Sequence, residues 1–228
     1  AGSGLQHSEM FPLLNENQNN PFELFQIWLN LPSEKKFVNP YYKMLWGETI
    51  PRITLADGNQ KKTQIDIVAA VIGDTAAPPP APDSWAANPE NEVAIWHIQM
   101  EENANWEIPV TSGMVNRSLY FFEGETISLN NINVEPNHVA ELNTSLSVTV
   151  QNGNQRSRLL LLQGKPIHEP VVQYGPFVMN SREEIQQAFH DFQQTRFGGW
   201  PWPRPDMIHD KNKGRFARFD NGTEIIKD

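Results

Sequence analysis

The sequence predicts an all-β chain with a single helix near its carboxyl end. Three observations carry this. Short runs of β-branched, aromatic and aliphatic residues recur at close spacing. Turn-forming residues punctuate them. Apolar residues at helical period are sustained over one segment only.

Taken in order, Phe22–Leu31 (FELFQIWLNL) is aromatic and aliphatic and reads as a β-type run. Gln64–Ile72 follows the turn Asp57-Gly58-Asn59. Ala76–Trp85 (AAPPPAPDSW) is rich in proline, which donates no ladder hydrogen bond. It therefore cannot be a central strand and reads as an inter-domain linker. Beyond it, strands are predicted at Glu92–Met100, Arg117–Phe122, Thr126–Leu129, Val139–Leu142, Ser145–Gln151 and Ser157–Gln163. Glu123-Gly124-Glu125 joins one pair. Asn152-Gly153 reads as a hairpin turn joining another, because that dipeptide readily adopts the positive φ of tight hairpins. Many short strands joined by tight turns indicate a sandwich or barrel. The helix opens at Ser181, with Glu184 completing a capping box. Ile185, Ala188, Phe189 and Phe192 form its apolar stripe, and it should stop near Gly198-Gly199. That stripe is packing surface. The tail beyond Trp200 is expected to be irregular.

At 228 residues the chain is long enough for two small domains and a substantial core. It has no cysteine, so disulfides and thiolate metal sites are excluded, and any metal must sit on His, Asp or Glu. A formal charge of −9 argues against a general electrostatic grip on nucleic acid. The basic cluster Lys211, Lys213, Arg215 and Arg218 reads as a solvated tail. The longest apolar runs, Ile67–Ile72 and Leu159–Leu162, fall far short of the ~20 residues a membrane span needs. A cysteine-free acidic chain fits the cytoplasm, which is the compartment expected. The chain starts at Ala1 without a methionine, so its natural amino terminus is expected upstream.

The constellation built for chemistry lies in Gly2–Met10 (GSGLQHSEM). On a strand, residues i and i+2 share a face, so His7 and Glu9 would present an imidazole beside a carboxylate. Such donors suit non-haem iron, manganese and similar ions. The preceding Gly-Ser-Gly gives a tight turn and not a phosphate loop, since no Lys follows it and no helix begins there. A catalytic metal normally takes three or four protein ligands, so the pair is half a site. His97 reads as a half-buried strand residue, His138 and His168 as turn residues, His190 as the polar side of the helix, and His209 as tail. No nucleophile elbow, Walker loop, Rossmann fingerprint or zincin motif is present.

The segments AGSGLQHSEM (Ala1–Met10), LFQIWLNLP (Leu24–Pro32), PDSWAANPENEVAIW (Pro82–Trp96) and EPVVQYGPFVMNSREEI (Glu169–Ile185) resemble the pirin family. The GPFVMN element followed by the capped helix is the most specific. The resemblance covers nearly the whole chain. It implies tandem cupin barrels with a metal, usually Fe2+, in the first barrel only, held by three His and one Glu. The last two ligands match His7 and Glu9. The first two belong to an HPHRGFET-like segment that this sequence lacks, so the first cupin is expected to be truncated. The implied organisation is residues 1–75 as the remainder of the first cupin, 76–90 as linker, 91–175 as a metal-free second cupin, and 176–228 as helix and tail. Around Val110–Arg117, where a second His-x-His would fall, no histidine occurs.

Two functions follow from the resemblance. One is a flavonol (quercetin-type) 2,3-dioxygenase acting on a small aromatic substrate, with Glu9 as ligand and general base and His7 as ligand. The other is an iron-dependent cofactor that binds a protein partner. A monomer without membrane or direct nucleic-acid contacts is expected, and the chain by itself is expected to be inactive.

Overall fold

The computed structural model describes residues 2–206 and 208–227; Ala1, Met207 and Asp228 lie outside them. The chain divides into two compact units, Leu45–His168 and the combination of Ala1–Met44 with Glu169–Asp228.

The Leu45–His168 unit holds twelve strands: β1 (Arg52–Ala56), β2 (Lys62–Ala69), β3 (Val71–Ile72), β4 (Thr75–Ala76), β5 (Ala94–Met100), β6 (Asn105–Ile108), β7 (Asn116–Glu123), β8 (Ile127–Leu129), β9 (Ile132–Val134), β10 (His138–Glu141), β11 (Val148–Asn152) and β12 (Ser157–Gly164). They form a six-stranded sheet of order β1-β2-β5-β12-β7-β10 and a four-stranded sheet of order β6-β11-β8-β9, with β3 and β4 as a separate short hairpin. The pairings within both main sheets are antiparallel. Period-2 alternation sets the inner face. On β5, Ala94, Trp96, Ile98 and Met100 are buried, while Ile95, His97 and Gln99 are only partly covered. The inward residues merge into one core with Ile65, Ile67, Trp106, Leu119, Phe121, Val150 and Leu161. This is the cupin fold: two antiparallel sheets closing on an apolar interior.

Three features differ from the sequence reading. First, β1 and β2, assigned there to the first cupin, belong to the sheet of β5. β2 pairs antiparallel with β5, from Thr63 opposite Met100 to Ala69 opposite Ile95. Its inward Ile65 and Ile67 are fully buried in the shared core. The proline-rich segment is thus an excursion between strands of one unit. Second, Phe22–Leu31 forms no strand, and Phe22, Leu24 and Trp28 are exposed. A strand needs a hydrogen-bonded neighbour, and among the described residues none runs beside it. Third, neither of the two tight turns closes a hairpin. β11 lies in the four-stranded sheet and β12 in the six-stranded one, so Asn152-Gly153 is a corner where the chain changes sheet. Gly124 marks the equivalent corner between β7 and β8.

Gly124 is needed there. Its φ is +140°, and a Cβ would collide with the Ser157 hydroxyl and approach the Phe121 ring at 2.8 Å. Both neighbours are buried. Gly124→Ala is therefore expected to cost about 2 kcal/mol or more of stability, read as a lower urea midpoint. A change under about 0.5 kcal/mol would mean that the corner relaxes freely.

The second unit contributes β13 (Val172–Tyr174) and β14 (Phe177–Met179), a hairpin turning at Gly175, and then α1 (Arg182–Thr195). The predicted capping box is present: Glu184 N donates to Ser181 Oγ at 3.1 Å, and Ser181 N donates to Glu184 Oε2 at 2.8 Å. The helix stripe packs as expected, with Phe177 edge-on to Phe189 at 4.8 Å between ring centroids. The GPFVMN element is anchored by Asn180, whose Nδ2 donates to Glu169 Oε2 at 2.9 Å. Glu169 in turn accepts from Ser33 N at 2.7 Å. The tail, expected to be irregular, carries a further hairpin, β15 (Arg215–Arg218) with β16 (Glu224–Lys227). Its basic residues are engaged: Lys213 and Arg218 both pair with Glu224, and Lys211 pairs with Glu16. No helix among the described residues is long and apolar enough to cross a membrane.

Candidate metal site

The segment bearing His7 and Glu9 is not the expected strand: it forms no regular secondary structure and belongs to no sheet among the described residues. It is held by point contacts instead of a ladder. Ser3 N donates to Val38 O at 2.9 Å. Gly4, at φ +113°, lies so close to the Phe197 ring that a Cβ would overlap it. The Gln6 amide donates to the Arg196 carbonyl, and His209 N donates to Met10 Sδ at 3.3 Å. These contacts flank the candidate donors on both sides.

Between them, His7 Nε2 and Glu9 Oε1 lie 3.9 Å apart, on side chains that are 57% and 59% exposed. The i, i+2 spacing does bring imidazole and carboxylate together. Tyr42 stands nearby in the electrostatic sense: burial raises its phenol pKa, and the negative charge of Glu9 raises it further. In kind, an imidazole and a carboxylate fit a non-haem iron or manganese ion. In number they fall short, because among the described residues no three His, Asp or Glu side chains converge.

The remaining histidines lie elsewhere. His97 points to the outer face of β5, its Nδ1 3.3 Å from Asp66 Oδ2. Asp66 is also gripped by Arg52, at 2.6 and 2.8 Å. Burial pushes the Asp66 carboxyl up, but the bonds from Arg52 and His97 more than offset it and hold it below the ordinary value. His138 Nδ1 sits 3.2 Å from the carbonyls of Glu135 and Pro136. His168 and His190 are exposed, and the His209 ring packs on Phe216 at 4.7 Å. The sequence reading missed one feature: Arg117 is 1% exposed inside the barrel. The signal was available, since period-2 alternation places Arg117 on the inward face with Leu119 and Phe121.

Comparison with known proteins agrees with this architecture. The pirin C-terminal cupin domain matches residues 95–198. Pirin of Homo sapiens is 33% identical over 202 residues, 87% of this chain and 63% of that protein. Pirin-1 of Arabidopsis thaliana is 34% identical over 200 residues, 87% of this chain and 64% of that one. The chain thus spans just under two thirds of the length of these relatives. Among solved structures, a quercetin 2,3-dioxygenase from Acinetobacter baumannii superposes with a TM-score of 0.61 at 26% identity, over 75% of this chain and 55% of that one. The cupin core, the GPFVMN element with its capped helix, and these likenesses together place the chain: it belongs to the pirin family.

Proposed function

We propose that His7 and Glu9 are the second half of a pirin-type iron site, and that the site acts as a 2,3-dioxygenase of flavonol-like substrates when two histidines of an HPHRGFET-like segment join them. The observation that supports this is the 3.9 Å pairing of His7 and Glu9 on a segment pinned at both ends. The likeness to the Acinetobacter baumannii quercetin 2,3-dioxygenase supports the substrate class. In this reading a bound ferrous ion supplies Lewis acidity that makes a substrate hydroxyl easier to ionise. His7 holds its place as a neutral imidazole donor. Glu9 takes the hydroxyl proton on a carboxylate oxygen, which makes the ring electron-rich enough for attack by dioxygen. The test is oxygen uptake by the iron-loaded chain, joined to such a segment, with a panel of flavonols. If none of them is consumed, this substrate class is abandoned.

The second reading is an iron-dependent partner of another protein, which needs no shielded pocket for a flat aromatic substrate. That reading gives no oxygen uptake with any flavonol.

The chain as it stands supplies two donors, so it should bind ferrous iron weakly. Anaerobic calorimetric titration checks this. Micromolar one-to-one binding would mean that another side chain completes the site.

A further inference from the structure

Within the Leu45–His168 unit lies a cavity of about 460 Å3. That volume falls in the ~300–1,000 Å3 range of small-molecule sites. Much of its wall is apolar, supplied by residues such as Val68, Val93, Pro78 and Pro80. Arg117, Trp96 and Thr111 interrupt this lining. Arg117 occupies an inward position on β7 and is 1% exposed, and Trp96 on β5 is 4% exposed. The guanidinium donates from Nε to Gln163 Oε1 at 2.7 Å and from Nη1 to Pro109 O at 2.9 Å. Both acceptors are neutral. Arg117 Nη2, Trp96 Nε1 and Thr111 Oγ1 are buried without a hydrogen-bond partner.

A buried cation with neutral partners, beside two further unmet polar groups, is costly for the fold to hold. Burial lowers the Arg117 pKa, and the Glu92 carboxylate, on the same cavity wall, offsets this only in part through its field. Guanidinium stays protonated even so. All three residues line the cavity, so an anionic acceptor entering it could meet these groups. The Glu92 carboxylate on the same wall repels added negative charge, which favours a singly charged acceptor over phosphate. The apolar wall asks for a hydrocarbon body.

We infer that this cavity binds a small organic monocarboxylate with an apolar body, its carboxylate accepting from Arg117 Nη2, Trp96 Nε1 and Thr111 Oγ1. The site is built entirely from the second barrel and stands apart from the reading of His7 and Glu9.

The test is calorimetric titration of the 228-residue chain, without metal, using benzoate, cinnamate and octanoate, each against its neutral amide. At least one acid should bind one-to-one, and its amide should bind about tenfold more weakly or worse, because the amide cannot make a charge-assisted bond. Arg117→Gln should weaken the acid about tenfold or more and Thr111→Val about threefold. His7→Ala and Glu9→Gln should leave it unchanged. Binding by none of the acids, equal binding of acid and amide, or unchanged affinity in Arg117→Gln would each overturn the inference. Should Arg117→Gln fail to fold by circular dichroism, the isosteric Thr111→Val decides: unchanged affinity overturns the proposal, and the threefold loss with retained acid-over-amide preference supports it.

Discussion

Glu9→Gln, in the chain joined to an HPHRGFET-like segment and loaded with iron, is expected to lower flavonol-dependent oxygen uptake by about 100-fold, the scale of a lost general base. The substitution keeps a neutral oxygen where the carboxylate stood, so iron should stay bound, though less tightly. What disappears is the acceptor for the substrate's hydroxyl proton. His7→Ala should behave differently. It removes a donor without touching the base, so iron content and turnover should fall together. Measuring iron stoichiometry beside the rate separates the two outcomes. Turnover unchanged in Glu9→Gln would end the role assigned to that carboxylate. A rate that fell only in proportion to iron content would make Glu9 a ligand and nothing more.

Asn152→Ala should destabilise the protein by about 3 kcal/mol, measured by urea unfolding. Asn152 is 7% exposed at the corner between the two sheets. Its Nδ2 donates to Glu101 O at 2.7 Å, Gln155 O at 2.8 Å and Met100 O at 3.3 Å. Its Oδ1 accepts from the Ser157 hydroxyl at 2.6 Å. Alanine would remove all four bonds and strand the fully buried Ser157 hydroxyl, while Glu101 O keeps its bond from Ala104 N; a buried orphan costs about 1–3 kcal/mol. Asn152→Asp makes a sharper check. It keeps the acceptor for Ser157 but turns a carboxylate toward carbonyl oxygens, so the native state would raise that carboxyl's pKa above its unfolded value. The variant should therefore be most stable below about pH 4 and lose stability as pH rises through the native-state value. A cost under about 1 kcal/mol for Asn152→Ala would mean that the residue serves only its local turn.

Asn152 shows why local signals were half informative. Asn-Gly does mark a reversal of the chain, since backbone preferences are local. Whether the flanking strands pair with each other or join separate sheets depends on contacts remote in sequence. Asn152 reaches back across fifty residues to the end of β5, and no turn rule encodes that. The same holds for β1 and β2. Their alternation was legible, but the proline run after them looked like a domain boundary. Only the match of Ile65 and Ile67 to the inner face of β5 joined them to the second barrel. Phe22–Leu31 failed in the opposite sense: it has strand composition, but a strand exists only with a partner.

At the candidate site, His7 and Glu9 do come within 3.9 Å, as their i, i+2 spacing suggested, although the segment forms no strand. Arg117 was read past, because its significance is burial, and burial belongs to the assembled barrel. By itself the sequence determined what acts within a few residues: strand alternation, the Ser181–Glu184 capping box, the helix stripe and the pairing of His7 with Glu9. Tertiary structure alone decided which strands share a sheet, that two predicted hairpins are corners, and that one arginine is enclosed with only neutral hydrogen-bond acceptors. The physical reason is that backbone geometry acts over a few residues, whereas desolvation and sheet pairing depend on groups that only folding brings together.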